Sequence, residues 1–142
     1  MKTIELRNRN LLSVDDFTAE ELSAILSTAA LLKRQPALVG QLATGKTMAM
    51  IFEKPSLRTR VTFEVAMTQM GGHAIYLQPS DIGLGTREPV KDVARNLSRW
   101  CDLIMARTFK HETILGLAEY ASVPVINALS DLETPARPWP IF

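Results

Sequence analysis

Short apolar runs alternate along this chain with longer segments whose apolar residues follow helical spacing. Four runs have the length and composition of buried strands: residues 47–52, 73–77, 103–106 and 124–127. Strands that alternate with helices of this length are typical of βαβ units, which require a parallel sheet with right-handed crossovers. The pattern therefore predicts an α/β fold with a four-stranded parallel sheet and helices on both of its faces.

The helical segments carry their own start and stop signals. Thr18-Ala19-Glu20-Glu21 has the pattern of a capping box, and the helix that it opens is expected to end before Pro36. Further helical stripes occupy residues 59–70, 90–100 and 114–121. Residues on these stripes that are predicted to lie in the core are Met67, Met70 and Trp100. The polar segment 78–88, with its glycines and proline, is predicted to be a long loop.

Composition and charge exclude several classes of protein. A length of 142 residues fits one domain with its own core, and the formal net charge of +1 disfavours a nucleic-acid-binding protein. No apolar run is long enough to span a membrane, and the amino-terminal residues lack the apolar stretch of a signal peptide. The single cysteine, Cys101, cannot form an internal disulfide, which favours a reducing, cytoplasmic location; we expect no membrane partner.

One segment matches a nucleotide-binding motif by its letters alone. Gly40-Gln41-Leu42-Ala43-Thr44-Gly45-Lys46-Thr47 fits the P-loop pattern G-x-x-x-x-G-K-[ST]. A true P-loop needs a strand before it and a helix after it, so that the helix start faces phosphate. Here the order is reversed, because a strand-like run follows Thr47. The motif is therefore interpreted as a turn that enters the first strand, and a P-loop protein is kept only as a remote alternative.

A second anion-binding candidate is the segment 52–60, which follows a predicted strand and opens a predicted helix. The carboxyl end of a parallel strand is where α/β sheets bind ligands, and the free N–H groups of a helix start attract anions. Ser56 and Thr59 supply hydroxyl groups, while Arg58 and Arg60 supply guanidinium groups suited to phosphate or carboxylate. The alternative is an N-cap serine followed by solvated arginines.

Local charge and a third strand strengthen the anion-binding hypothesis. Residues 46–60 contain four Lys or Arg against one Glu, a local charge of +3 in a chain of +1. Arg107 follows the third predicted strand, so we expect it at the same edge of the sheet, where it could contact the same anion. Neither histidine has an evident carboxylate partner by spacing, so no catalytic histidine and no metal site are predicted.

Several segments together resemble the aspartate/ornithine carbamoyltransferase family, and its ornithine branch in particular. Phe52-Glu53-Lys54-Pro55-Ser56-Leu57-Arg58-Thr59-Arg60 is similar to the Ser-Thr-Arg-Thr-Arg signature of that family. Gly83-Leu84-Gly85-Thr86-Arg87-Glu88 is similar to its mobile loop, and the segments around Arg107 and Asn127-Ala128-Leu129-Ser130-Asp131 match in the same order. The resemblance runs from about residue 3 to Glu133.

The resemblance implies an enzyme of arginine metabolism that transfers a carbamoyl group from carbamoyl phosphate to L-ornithine, giving L-citrulline and phosphate. By the match, Arg58 and Arg107 are the catalytic residues, and the residues that bind carbamoyl phosphate are Ser56, Leu57, Arg58, Thr59 and Arg107. No metal or organic cofactor is expected, and a homotrimer is the family's assembly. Leu57 stands where the signature usually has Thr, and Gly83 where many members have a Gln that reaches a neighbouring subunit's site.

The end of the sequence departs from the family. Residues 1–133 are expected to form the carbamoyl phosphate-binding domain, with the family's ornithine-binding domain absent from this chain. The family continues after Asp-Leu-Glu with His-Pro-Cys-Gln, whereas residues 134–142 are Pro-rich and place Thr134 and Arg137 where that His and Gln stand. A single-nucleotide deletion in plausible codons accounts for this tail as a frameshift product. We therefore expect the chain to be inactive alone, and a non-catalytic anion-binding remnant is the alternative.

Overall fold

Residues 4–135 are described by the computed structural model, and they form one four-stranded sheet with helices on both faces. The strands lie in the order β2-β1-β3-β4 and all three pairings are parallel. Their bounds are β1 Thr47–Phe52, β2 His73–Leu77, β3 Leu103–Arg107 and β4 Val125–Leu129. The predicted fold class and the position of each predicted strand are confirmed, with the last strand shifted toward the carboxyl end.

Within residues 4–135, five α-helices connect or flank the strands. They are α1 Ala19–Arg34, α2 Leu57–Gln69, α3 Pro79–Ile82, α4 Val90–Trp100 and α5 His111–Tyr120, with 3-10 turns at Val14–Asp16 and Pro36–Leu38. The predicted capping box is present, since Thr18 Oγ1 accepts the Glu21 N–H at 3.2 Å and Glu21 Oε2 accepts the Thr18 N–H at 2.9 Å. Helix α1 then ends at Arg34, before Pro36, as the sequence predicts.

The core has two halves because successive side chains of a strand point to opposite faces of the sheet. On one face, α4 and α5 cover the strands, with Val93, Ala94, Ile114 and Leu117 buried against Ala49, Ile51, Ile104, Ala106 and Val125. On the other face, α2 packs Met67 against Met48, Met50, Phe52 and Met105. Cys101 is buried in the first half, and that burial raises the pKa of its thiol.

Two expectations of the sequence analysis are wrong in detail. Trp100 lies on the helical stripe of α4 but is 71% exposed, because α4 ends at this residue and the chain turns into β3. The predicted loop 78–88 contains the short helix α3, which begins at Pro79 and in which Asp81 Oδ2 accepts the Gln78 N–H at 2.9 Å. The predictions for Met67 and Met70 are confirmed, since Met67 is buried and Met70 packs against the same half of the core.

The amino-terminal segment covers the outer edge of β4. Leu11 donates its N–H to Val125 O at 2.9 Å and accepts the Asn127 N–H at 2.8 Å, while Asn10 Oδ1 accepts the Val125 N–H. This short bridge places residues 10–12 alongside the last strand of the sheet. In the segment from 4 to 135, no helix combines the length and apolar character that crossing a membrane requires.

Candidate functional site

Helix α2 begins at the carboxyl end of β1 with Ser56 as its N-cap. The Ser56 Oγ accepts the Thr59 N–H at 3.3 Å and lies 3.0 Å from Thr59 Oγ1, and the Ser56 carbonyl accepts the Arg60 N–H. The first four N–H groups of a helix have no partner within the helix. The Ser56 side chain takes the N–H of Thr59, and the Arg60 N–H makes the first bond within the helix. The N–H groups of Leu57 and Arg58 therefore lie in the first turn without a helical acceptor, where they can bind an anion.

Arg107 comes to the same place from the neighbouring strand. It is the last residue of β3, pairs with Phe52 of β1 in the sheet register, and is half-buried. Its Nη1 donates to Thr59 Oγ1 at 3.3 Å. The structure therefore joins three residues that the sequence analysis selected, Ser56, Thr59 and Arg107, in one hydrogen-bonded chain at the carboxyl edge of the sheet.

Arg58 and Leu57 occupy the first turn of α2 in different ways. Arg58 is exposed, and none of the three ion pairs within residues 4–135 involves it, so its charge is not neutralised inside the described domain. Leu57 is 79% exposed and offers only its backbone N–H to an anion. The site therefore contributes two guanidinium groups, two hydroxyl groups and two backbone N–H groups around one helix start.

Arg60 does not join this cluster. Its guanidinium carbon lies 3.8 Å from the centre of the Tyr76 ring, and its Nε lies 3.5 Å from Glu64 Oε2. A guanidinium over an aromatic face is held by cation–π attraction. The side chain is thus directed toward β2 and away from Arg107, which leaves Arg58 as the arginine of this segment that faces solvent without such a partner.

Glu53 is a polar residue of the site that the sequence analysis counted only as a charge. Its backbone N–H donates to Arg107 O at 2.9 Å, and its carboxylate Oε2 accepts the Phe109 N–H at 2.7 Å. The carboxylate thus bonds to the chain two residues beyond Arg107. The available signal was its position, directly after β1 and alone among basic residues, but its partner depends on how β3 ends beside β1.

A cavity of about 280 Å³ lies at the same edge of the sheet. It is bounded by the end of β1, by the 78–86 segment that follows β2 and by Phe109, and its walls include Ile51, Phe52, Ile82 and Leu84. Gly83 lies in this wall with φ +60°, and a Cβ at that position would come within 2.6 Å of the Arg87 Cβ. The conformation of this turn therefore favours glycine over the glutamine that the resemblance leads one to expect.

The amino end of β1 carries the segment that matches the P-loop pattern by its letters. Residues 39–45 form turns, and β1 follows Lys46 directly. Lys46 Nζ lies 2.8 Å from Asp102 Oδ1, and Asp102 Oδ2 accepts the Thr47 N–H at 3.0 Å. The Lys46 ammonium and the Thr47 N–H hold the pKa of the Asp102 carboxyl below its usual range. This geometry fits the interpretation of a turn that enters a strand.

Two further expectations concern metals and the tail. Across residues 4–135, no three His, Cys, Asp or Glu side chains are grouped so that they could hold a metal ion. Thr134 is half-buried and follows the turn in which Ser130 accepts the Glu133 N–H. Arg137 and the rest of the tail from residue 136 lie outside the described residues, so the expectations about them and the boundary at 133 remain predictions.

A family model described as "Aspartate/ornithine carbamoyltransferase, carbamoyl-P binding domain" matches residues 9–137. The ornithine carbamoyltransferase of Pyrococcus abyssi is 51% identical over 136 residues, which cover 94% of this chain and 43% of that protein. The enzyme of the same name from Halalkalibacterium halodurans is 51% identical over 139 residues, which cover 96% of this chain and 43% of that protein.

The chain is also similar in structure to solved ornithine carbamoyltransferases. The structure of ornithine carbamoyltransferase from Pyrococcus furiosus superposes with a TM-score of 0.86 at 51% identity, over 91% of this chain and 42% of that one. This chain therefore spans less than half the length of the relatives that it matches, and the matched part is the part that contains the sheet, α2 and Arg107.

Proposed function

The chain belongs to the aspartate/ornithine carbamoyltransferase family, and on that premise we propose that its site at the carboxyl edge of the sheet binds carbamoyl phosphate. The observation that carries the proposal is the hydrogen-bonded chain from Ser56 through Thr59 to Arg107 at the start of α2. A phosphate group is the anion that such a set of donors suits, because helix-start N–H groups, hydroxyls and a guanidinium all donate to its oxygens.

We propose a division of roles among these residues. Ser56 and Thr59 hold the phosphate together with the backbone N–H groups of Leu57 and Arg58. The exposed Arg58 guanidinium closes over the bound anion from the helix side. Arg107, which approaches from β3, donates both to the phosphate and to the carbamoyl oxygen. Donors fixed in this way stabilise the charge that develops on the carbamoyl oxygen and on the leaving phosphate as the carbamoyl group is transferred.

The acceptor in the proposed reaction is the δ-amine of L-ornithine, which gives L-citrulline and phosphate. Support for this acceptor comes from relatives about 50% identical that are named ornithine carbamoyltransferase. Transfer also requires the amine to be held next to the carbamoyl carbon, and orientation of that kind supplies about 7–11 kcal/mol of barrier reduction in well-aligned systems. The residues described here account for the carbamoyl phosphate side of that reaction.

A thermal unfolding experiment on the 142-residue chain tests the binding proposal. A ligand at about 100 times its Kd stabilises the folded state by about 2.7 kcal/mol, which raises the Tm by roughly 5–15 °C. We expect this protection from carbamoyl phosphate, a loss of most of it in Arg58→Ala, and no protection from MgATP. Protection by MgATP alone, lost in Lys46→Ala, would contradict the proposal and favour the P-loop alternative.

We also propose that the chain associates with copies of itself through the outer face of α2. Leu57, Val61 and Val65 are spaced four residues apart, so they line one face of this helix, and they are 79%, 48% and 45% exposed. The family resemblance supports a homotrimer as the assembly. Sedimentation velocity is expected to show a species larger than the monomer that Val61→Glu converts to monomer, whereas a monomer in the unsubstituted chain would contradict self-association.

A further inference from the structure

Glu53 is an acidic residue at an edge of the sheet where the proposed ligand is an anion. A carboxylate there repels phosphate, so its charge by itself works against binding. The structure shows another use for that charge. Glu53 is half-buried, and its Oε2 accepts the Phe109 N–H at 2.7 Å, a charge-assisted bond at the short end of the normal range.

Two hydrogen bonds join Glu53 to the backbone of the segment from Arg107 to Phe109. The Glu53 N–H donates to the Arg107 carbonyl at 2.9 Å, and the Glu53 carboxylate accepts from Phe109, two residues further on. Lys54 Nζ lies 5.1 Å from the centre of the Phe109 ring, which adds a cation–π contact between the same two segments. The end of β1 therefore holds the chain on both sides of Thr108.

Thr108 fixes the same turn from the other side. It is fully buried, its N–H donates to Leu129 O at 2.9 Å, and its Oγ1 donates to Lys110 O at 2.9 Å. The backbone that follows Arg107 is thus anchored to β4 through Thr108 and to β1 through Glu53. Of these anchors, the Glu53 carboxylate is a side-chain acceptor that substitution can remove without changing the sheet pairing.

We infer that Glu53 is a positioning residue, which holds the segment from Arg107 to Phe109 so that the guanidinium meets Thr59 and the anion site. This inference rests on the proposed function, because the benefit of holding Arg107 is the phosphate that Arg107 would bind. Precise placement matters since a displaced donor loses much of its hydrogen-bond energy as distance and angle worsen.

The change in phosphate affinity on substitution of Glu53 distinguishes a positioning role from a simple effect of its charge. If Glu53 acted only through its charge, both Glu53→Gln and Glu53→Ala would bind inorganic phosphate more tightly. If it positions Arg107, Glu53→Gln keeps an oxygen that accepts the Phe109 N–H and retains affinity, whereas Glu53→Ala loses the bond. We expect Glu53→Ala to weaken phosphate binding about three- to tenfold despite the removal of a negative charge.

Isothermal titration of inorganic phosphate into the full 142-residue chain measures these affinities, with Glu112→Ala as the matched control. Glu112 is an exposed carboxylate in the first turn of α5, and its removal is expected to leave the affinity unchanged or slightly higher. Amide hydrogen exchange at Phe109 supplies a readout without ligand, and we expect exchange to accelerate about tenfold in Glu53→Ala and little in Glu53→Gln.

The outcomes separate this inference from the proposed function. Phosphate affinity that stays equal or rises in Glu53→Ala, while Arg107→Ala strongly weakens binding, overturns the positioning role alone. A lower Tm in Glu53→Ala with unchanged phosphate affinity at a temperature where the protein is folded also overturns it, because the residue would then be merely structural. If the unsubstituted chain binds no phosphate, the proposed function fails, and the positioning role that depends on it is overturned as well.

Discussion

The two ends of β1 each carry a segment with residue types found in phosphate-binding sites, but the two segments differ in their chemistry. At the amino end, Gly40, Gly45, Lys46 and Thr47 stand in the order of a P-loop. At the carboxyl end, Ser56–Arg60 offers hydroxyls and arginines without a glycine. The lysine of the first segment is paired with Asp102 at 2.8 Å, whereas Arg58 of the second has no ion pair within residues 4–135.

Strand direction explains the difference. A helix that follows a parallel strand starts at the carboxyl edge of the sheet, so its free N–H groups collect there, and α2 is such a helix. The amino edge receives helix ends and turns, and the Lys46 ammonium there is paired with the carboxylate of Asp102, which precedes β3. A phosphate-binding motif therefore indicates a binding site only where the order of strand and helix places its N–H groups at the carboxyl edge of the sheet.

The largest effect is expected from Arg107→Ala. The guanidinium makes charge-assisted bonds worth about 1.5–3 kcal/mol, so its loss is expected to weaken carbamoyl phosphate binding about 10- to 100-fold. Lys46→Ala, which removes a cation from the amino end of the same strand, is the matched control and should leave the affinity unchanged. Isothermal titration measures both, and equal losses in the two variants would remove the distinction between the two ends.

The second-largest effect is expected at the amino end of β1, on the free energy of unfolding. Asp102→Ala removes the acceptor of the Thr47 N–H and the partner of Lys46, both partly exposed. After allowance for solvent screening we expect a loss of about 1 kcal/mol in the free energy of unfolding, with carbamoyl phosphate affinity unchanged. Urea denaturation measures the first quantity. A loss of affinity as large as that of Arg107→Ala would assign the amino end to the site.

The contribution of the Asp102 carboxylate to the free energy of unfolding depends on pH. The pKa of Asp102 is lowered in the folded chain by Lys46 and by the Thr47 N–H. Its contribution is therefore fully present above the pKa of an unfolded aspartate, about 3.9, and is lost as the pH falls below that value through the lower folded-state pKa. The difference in stability between the unsubstituted chain and Asp102→Asn should shrink in that acidic range.

A smaller effect is expected from Ser56→Ala, which removes an N-cap and an anion donor together. Loss of a capping hydroxyl typically costs about 1 kcal/mol of stability. We expect a lower Tm and weaker carbamoyl phosphate binding in this variant. Thr18→Ala, which removes the cap of α1 away from the sheet edge, should lower the Tm similarly without changing the affinity, and a parallel loss of affinity there would contradict the assignment of Ser56.

The smallest expected effect is a gain in affinity for carbamoyl phosphate. Leu57→Thr adds a hydroxyl to the first turn of α2, at a side chain that is 79% exposed within the single chain and therefore packs little against the rest of the same chain. One additional neutral hydrogen bond contributes about 1 kcal/mol or less, so affinity for carbamoyl phosphate should rise a few-fold. Leu57→Val, which changes the shape without adding a donor, is the control; an equal gain there would show that shape, not the hydroxyl, is responsible.

Local signals predicted the framework well because they act over a few residues. The capping box at Thr18, the proline after α1 and the four apolar runs each determine a boundary from neighbouring residues, and the structure agrees with them. The rule that parallel strands end at one edge of the sheet predicted that Arg107 lies close to Ser56 and Thr59. In the structure Arg107 donates a hydrogen bond of 3.3 Å to Thr59.

The remaining features depend on contacts that no local pattern contains. Arg60 is turned aside by the Tyr76 ring of a neighbouring strand, and Glu53 finds its partner in the turn after β3. Trp100 shares the spacing of core residues yet is the last residue of α4 and is 71% exposed. Each of these side chains has a position determined by tertiary packing, which periodicity along the chain does not record.

The central claim is that the anion binds at the carboxyl end of β1, and an NMR titration of the amide groups tests it most directly. As carbamoyl phosphate is added to the labelled chain, the account predicts saturable shifts at the Leu57, Arg58 and Thr59 amides and at the Arg107 side chain. The amides of residues 40–47 should remain in place. Shifts centred on residues 40–47, with the start of α2 unaffected, would contradict the account.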